Sequence, residues 1–406
     1  MRGLARFIHS LIFFKNVPWS VRQPVRLLAG FLFLLLEQSM SFRLVRNGPQ
    51  LLGCFTMFPP RSSGNCGRRA LSIFQYLLVF AVTRGYRLGN SKPVITGEGH
   101  ELVYRDLKPT DVGVLLLFHG CSHPVEDWQF LPEEQSFLRE AQMKNLGYIA
   151  FETPMGKEGG WCWPPKQDEE NVDKVLKVVR AQLAIEPDHP AWKKTFCLGG
   201  SSGGNFIGVM GVKAPDICQG FAFYVSPGGI STQQVAQSES LRSKPVAWVY
   251  MDKDTQFASG HKISQVQNAW CSGGGAEDAN KNSKGKSLCK MFNVKPRPLT
   301  KGELNAHHDK YDLYGDLVDM GYLDVGGSAI RDPRSDPGWQ GRFFKKPLSK
   351  EQDQHRLAVE ELMNRAWAQH EFAADYAEEV LDHLLQAPAA GAAVAEKHEQ
   401  GTKSEF

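Results

Sequence analysis

The sequence contains no CxxC pair, although eight cysteines are spread through it at positions 54, 66, 121, 162, 197, 218, 271 and 289. Zinc ribbons and thioredoxin-type redox motifs are thereby excluded. The spacing is too irregular for a disulfide framework, so Cys197 in Thr195-Phe-Cys-Leu and Cys218 in Asp-Ile-Cys read as buried free thiols. No Asn-x-Ser/Thr sequon occurs, and nothing supports a glycosylated product. Long apolar runs are missing as well. Leu27 to Leu36 is a run of ten and Leu71 to Val82 a run of twelve broken by Ser72 and Gln75, both short of the roughly 20 residues that span a bilayer. There is no internal repeat.

Acidic residues are nearly absent from the first 97 positions, where Glu37 stands alone against thirteen Lys or Arg, a net of +12. The overall +3 of the 406-residue chain therefore hides a body with 34 basic and 43 acidic side chains, a net of −9. Nucleic-acid binding needs a basic face on the folded body, and that class drops out. An Arg-rich segment almost free of acids has the composition of a targeting segment. Residues 1–97 are read as such a basic targeting or extension segment, directing the protein to a plastid or mitochondrion. The ten-residue run behind Arg22 and Arg26 suggests a secretory-type bipartite signal, and the same segment offers a means of membrane association.

What remains can bury a core: 42% of residues are hydrophobic, 22% charged and 11% aromatic. From about residue 100, short apolar runs alternate with helical patterns, which predicts an α/β fold with a mostly parallel sheet. Strands are expected at Val112 to Phe118, Tyr148 to Glu152, Lys194 to Leu198, Gly220 to Ser226, Val246 to Met251 and Cys289 to Val294. Helices are expected at Leu131 to Leu146, Asp168 to Ile185 and Phe206 to Val212. Residues 272–287 read as a polar surface loop, Glu303 to Leu385 as largely helical, and 388–406 as a disordered tail.

The segment Thr195-Phe-Cys-Leu-Gly-Gly-Ser-Ser-Gly-Gly-Asn-Phe runs a strand into a glycine-flanked serine and then a helix. A nucleophile elbow needs this context, because the turn is so tight that its neighbours must lack side chains. Both Gly199-x-Ser201-x-Gly203 and Gly200-x-Ser202-x-Gly204 satisfy the pattern, and the strand register favours Ser201. A phosphate loop is disfavoured, for the Lys of a P-loop and the G-x-G-x-x-G spacing are missing. His119-x-Cys121-x-His123 would share one face on a strand, yet no helix-borne partner for a metal is evident.

With this elbow, the run Phe118-His-Gly-Cys-Ser and the segment Gly160-Trp-Cys-Trp, the chain resembles the α/β-hydrolase superfamily from about residue 100 to 386. More narrowly, it resembles α/β-hydrolase-like proteins of plants and algae. The resemblance implies an α/β-hydrolase domain over 98–387, helices on both faces of the sheet, and a helical insertion or lid at 301–369. It implies a serine hydrolase acting on small or lipid-like esters through a Ser-His-Asp triad, with no cofactor. By position the oxyanion donors would be the backbone amides of Cys121 and Ser202. The acid would be Asp254, three residues past Met251, with Asp252 as the alternative on the same turn. For the histidine the candidates are His261, His307, His308 and His370. The fold places its histidine at the entry to the last helix, which favours His370 before the amphipathic stretch Phe372 to Leu384. The Gly159-Gly-Trp-Cys-Trp-Pro-Pro segment either lines the acyl pocket or packs as loop aromatics.

Overall fold

Continuous apolar strands can be stable only if both their faces are covered, and the architecture follows from that requirement. The computed structural model describes residues 93–95, 102–165, 168–271, 288–308 and 311–386. All of them belong to one unit that begins at Asn90. The targeting reading of residues 1–97, apart from 93–95, the polar loop at 272–287 and the tail at 388–406 lie outside the described residues.

Eight strands form one sheet: β1 Pro93–Ile95, β2 Leu102–Asp106, β3 Gly113–Phe118, β4 Leu146–Phe151, β5 Thr195–Gly200, β6 Gly220–Tyr224, β7 Val246–Met251 and β8 Cys289–Val294. Their order is β1-β2-β4-β3-β5-β6-β7-β8. From β4 to β8 every pair is parallel, while β1 and β2 run antiparallel at one edge. Strands β3, β4, β5 and β6 are buried at every residue, as their unbroken apolar runs require.

The helices are α1 Asp127–Phe130, α2 Pro132–Met143, α3 Glu169–Ala184, α4 Ser202–Lys213, α5 Thr232–Gln237, α6 Glu239–Arg242, α7 Gly260–Cys271, α8 Lys301–Asn305, α9 Leu313–Asp319, α10 Gly338–Phe343, α11 Lys350–Trp367 and α12 Ala377–Leu385. Local chemistry explains several boundaries. Asp168 caps α3 by accepting the Asn171 amide, with Glu169 and Glu170 in the first turn where the helix dipole favours acids. Ser349 caps α11 through a reciprocal capping box with Gln352. Among the described residues no helix is long and apolar enough to cross a membrane.

The expected strands and α2, α3 and α4 agree with the observed elements to within a few residues. The stretch expected to be largely helical, 303–385, is broken by turns into several short helices and the 18-residue α11. Between β8 and α12 it gathers a separate apolar cluster around Leu304, Leu317, Tyr322, Trp339, Leu362 and Met363. That cluster is tied to the sheet domain where the Glu133 amide at the start of α2 donates to Glu361 Oε2 on α11, 3.0 Å away.

The free-thiol reading of Cys197 and Cys218 is corrected, as is the exclusion of disulfides. Cys197 is bonded to Cys218, Cys121 to Cys162 and Cys271 to Cys289, with Cα separations of 5.8, 4.2 and 6.2 Å. The physical reason is strand pairing. Cys197 lies in β5 opposite Phe221 of β6, so the residues just before β6 are carried alongside it although 21 positions separate the two cysteines. Spacing along the chain carries no trace of such neighbours.

Candidate active site

Strand β5 ends at Gly200 and helix α4 starts at Ser202, leaving Ser201 alone to make the turn. Its φ of 46° lies in a region a side chain adopts only under constraint. The flanking glycines supply that constraint by letting backbone meet backbone. A Cβ on Gly199 would stand 2.4 Å from the Gly203 carbonyl, and one on Gly203 would stand 2.3 Å from the carbonyl oxygen of Phe118 at the end of β3. The elbow is thus wedged against the loop that follows β3.

Three side chains from three loops meet above the elbow. Ser201 Oγ lies 2.9 Å from His370 Nε2, and His370 Nδ1 lies 2.5 Å from Asp254 Oδ2. With the ring proton on Nδ1 and donated to the carboxylate, Nε2 is left to accept the serine hydroxyl proton. Asp254 is 2% exposed and sits just beyond β7, where it also accepts the amides of Phe257 and Ala258 at 2.9 and 3.2 Å. Burial alone would push its carboxyl up, but the hydrogen bond and charge of His370 and these two amides outweigh burial and hold it below the ordinary aspartate value.

The histidine loop is fixed from both ends. The Lys253 amide donates to the Ala368 carbonyl, 3.0 Å away, which brings the loop to the Asp254 turn. Arg334 Nη2 donates to the carbonyl oxygen of His370 at 2.6 Å and to Glu371 Oε2 at 3.1 Å. His370 itself has a φ of 43°, a conformation held by these contacts.

The loop after β3 carries His119, Gly120, Cys121, Ser122 and His123. A Cβ on Gly120 would be 3.7 Å from the Ser201 Cβ, so this loop passes directly beside Ser201. Cys121 is joined to Cys162, and the Ser122 amide donates to the Gly160 carbonyl at 2.8 Å, which clamps the loop to the Trp-rich segment. Ser202 starts α4, where first-turn amides have no intrahelical acceptor. Its hydroxyl accepts the Trp163 amide at 3.3 Å, a second tie to the same segment.

His119, Cys121 and His123 diverge to separate partners. His119 Nε2 is 2.9 Å from Glu152 Oε1, Cys121 is in its disulfide, and His123 Nδ1 is 2.8 Å from Asp127 Oδ2. Burial would lower the His123 pKa, but the bond to Asp127 and the charges of Asp127, Glu371 and Glu134 push it up to about 9. Among the described residues no group of three or more His, Cys, Asp or Glu is arranged to hold a metal ion.

The remaining candidates lie elsewhere. Asp252 bonds Asn293 and Lys295 near the protein surface, at 3.0 and 2.5 Å. His307 neighbours His355 and is lowered to about 4 by burial and that neighbour, His308 lies against Tyr311 and Phe344, and His261 on α7 contacts Gln265. Sequence reading missed Arg334, Glu371 and Glu152, and considered His123 only as a metal ligand. The sole signal for them was their polarity at buried or half-buried positions, which periodicity does not expose.

Beside the elbow is a cavity of about 380 Å³ lined by Trp163, Pro164, Pro165, Ser202, Asn205, Val209 and Gly229. The Trp-rich segment packs as loop aromatics and also lines this cavity. Trp163 packs against Phe118 and Phe206, with ring centroids 5.0 Å apart in each pair, and its two following prolines help to wall the cavity.

A sheet in this order with an antiparallel second strand, a serine elbow after β5, and Ser, Asp and His in that order along the chain give the protein an α/β-hydrolase fold. No family model matches the chain, and no curated protein matches it. Solved structures it is similar to include dienelactone hydrolase from Anabaena variabilis, at 13% identity and a TM-score of 0.35, covering 50% of this chain and 84% of that one. Est1E from Butyrivibrio proteoclasticus, solved with ferulic acid bound, is 13% identical with a TM-score of 0.34, covering 48% and 85%. A bacterial membrane phospholipase A is 12% identical with a TM-score of 0.32, covering 56% and 91%.

Proposed function

We propose that the protein is a serine hydrolase that cleaves carboxylic esters of small or lipid-like substrates by acyl transfer to Ser201. One observation carries this reading: an elbow serine with positive φ within 2.9 Å of a histidine nitrogen whose other nitrogen is 2.5 Å from a buried carboxylate. Ser201 Oγ attacks the ester carbonyl carbon while His370 Nε2 takes the hydroxyl proton. Asp254 holds the ring in the required tautomer and stabilises the imidazolium that forms. The oxyanion is met by the backbone amides of Cys121 and Ser202. Collapse of the tetrahedral intermediate breaks the bond to the alcohol oxygen, which takes the proton from Nε2. Water then attacks the acyl-enzyme with His370 as base, releasing the acid and restoring Ser201.

The test is labelling by a fluorophosphonate. Wild-type protein should label, Ser201→Ala should not, and Ser202→Ala should label more slowly, since it keeps its amide and loses one contact to Trp163. Labelling that survives Ser201→Ala and vanishes in Ser202→Ala would move the nucleophile. Failure of folded wild-type protein to label would favour a binding protein on a hydrolase fold.

We further infer that residues 1–97 target the chain to a plastid or mitochondrion and bring it near a membrane. The support is the thirteen basic residues against one acid and the apolar run at 27–36. Mass spectrometry of the native N-terminus checks this; an intact Met1 in a soluble cytosolic fraction would refute it.

A further inference from the structure

We propose that Asn205 is a specificity-determining residue, its side-chain amide donating to a neutral oxygen in the acyl chain of the ester. The inference rests on the reading of Ser201 as the acyl-transfer nucleophile and adds the class of acyl group it accepts.

The position of the cavity assigns it to the acyl group. Its walls come from the segment after β4, from Ser202, Asn205 and Val209 on α4, and from Gly229 after β6. None comes from the Asp254 turn or the His370 loop. The leaving oxygen must face His370 Nε2 to receive its proton, so it lies on the histidine side of Ser201. The acyl chain is then directed to the opposite side, along α4, where Asn205 follows one turn after Ser201 and its backbone N–H donates to the Ser201 carbonyl at 3.0 Å. A volume of about 380 Å³ lies in the range of small-molecule pockets.

The chemistry of the walls narrows the ligand. Among the described residues no lining residue is ionisable, and Trp163, Pro164, Pro165 and Val209 present apolar surface. Three lining side chains carry polar atoms: the Trp163 indole N–H, buried without a hydrogen-bond partner among the described residues, the Ser202 hydroxyl, which accepts the Trp163 amide, and Asn205. Asn205 is held by a relay that settles which way its amide points. The Gly228 amide donates to Ser226 Oγ at 3.1 Å, and the Ser226 hydroxyl donates to Asn205 Oδ1 at 2.8 Å. Ser226 is 1% exposed, so its proton has no water to turn to. A flipped amide would present two donors to a serine oxygen already accepting from Gly228 and leave that proton without its acceptor. Oδ1 is therefore committed to Ser226, and the Nδ2 hydrogens are left for the cavity. The turn is pressed close to keep this arrangement, for a Cβ on Gly229 would stand 2.4 Å from the Asn205 carbonyl oxygen. Two N–H donors on a wall whose described lining residues carry no charge select an uncharged acceptor: a ketone, ether or hydroxyl oxygen on an otherwise apolar chain.

The experiment compares kcat/KM for p-nitrophenyl 5-oxohexanoate and p-nitrophenyl hexanoate, which share leaving group and carbon count. Wild-type protein should prefer the oxo-ester, and Asn205→Leu should reduce that preference about threefold to tenfold, the range for one neutral hydrogen bond. Ser226→Ala, which frees the amide to turn, should reduce it in the same direction by less. Asn205→Asp keeps the shape and the bond to Ser226 and replaces the donors with a carboxylate oxygen; it should lower the preference too, and serves where the leucine variant fails to fold. A preference within about twofold of wild type in Asn205→Leu, or in Asn205→Asp if the former does not fold, overturns the assignment. If that happens with Ser201 labelling and turnover intact, only the acyl subsite is wrong. Wild-type protein that neither labels nor cleaves either ester overturns both readings.

Discussion

Arg334 reaches from the segment between α9 and α10 to donate a 2.6 Å hydrogen bond to the carbonyl oxygen of His370, while the same nitrogen meets Glu371 Oε2 at 3.1 Å. The backbone of the histidine loop is therefore held by a residue outside the sheet domain's own loops. Arg334→Ala should lower kcat about tenfold with little change in KM, because the ring is displaced and substrate contacts are untouched. Arg334→Lys should recover part of the loss. Equal falls in activity and in the amount of folded protein would indicate a purely structural role.

His370→Ala should reduce kcat by about a thousandfold or more while leaving thermal stability close to wild type, since a loop-borne base contributes more to rate than to folding. His307→Ala and His308→Ala should retain turnover, as their ring neighbours, His355 for His307 and Tyr311 and Phe344 for His308, belong to the helical segment. A dead His307→Ala or His308→Ala alongside an active His370→Ala would move the role to that pair.

The Cys121–Cys162 bond joins the loop beside Ser201 to the segment that walls the cavity. Cys121→Ser with Cys162→Ser should lower kcat about tenfold, a fraction of the effect of removing an oxyanion donor outright. Non-reducing peptide mapping should recover the Cys121–Cys162 pair from wild-type protein. Unchanged kcat in the double variant would show that the loop keeps its position without the bond.

Glu134 on α2 and Glu361 on α11 share a buried site. Burial pushes Glu134 up to about 7, offset in part by its hydrogen bond from Glu361, and burial with the Glu134 charge pushes Glu361 well above the usual range. Both folded-state values exceed the unfolded ones, so the pair stabilises the fold fully below about pH 4.5 and the contribution is lost as pH rises through about 7. The melting temperature should therefore fall between pH 5 and 8. Glu361→Gln, which keeps a permanent donor toward Glu134, should flatten that slope by at least about 3 °C. Identical slopes in the two proteins would show that the pair does not share a proton.

Where the physics is local, the chain could be read directly. Short apolar runs between turn signals mark strands covered on both faces, so β3, β4, β5, β6 and β7 were legible within a few residues. The glycines around Ser201 are demanded by one turn, and that turn names the residue it carries. Asp254 and His370 needed more. Each was one of several candidates, and resemblance to a known fold chose among them before any contact was visible.

The tertiary structure decided what depends on residues far apart in the chain. The disulfides follow from which strands and loops lie side by side, and spacings of 41, 21 and 18 residues carry no mark of that. The edge strands β1 and β2 pair antiparallel, and β1 is too short to show a period. Arg334 and Glu371 are polar residues without a motif, Asn205 sits in the elbow segment without a role that segment names, and their partners are supplied by other elements. Hydrophobic periodicity reports only which face of an element is buried, whereas a hydrogen bond between loops depends on the packing of every element between them.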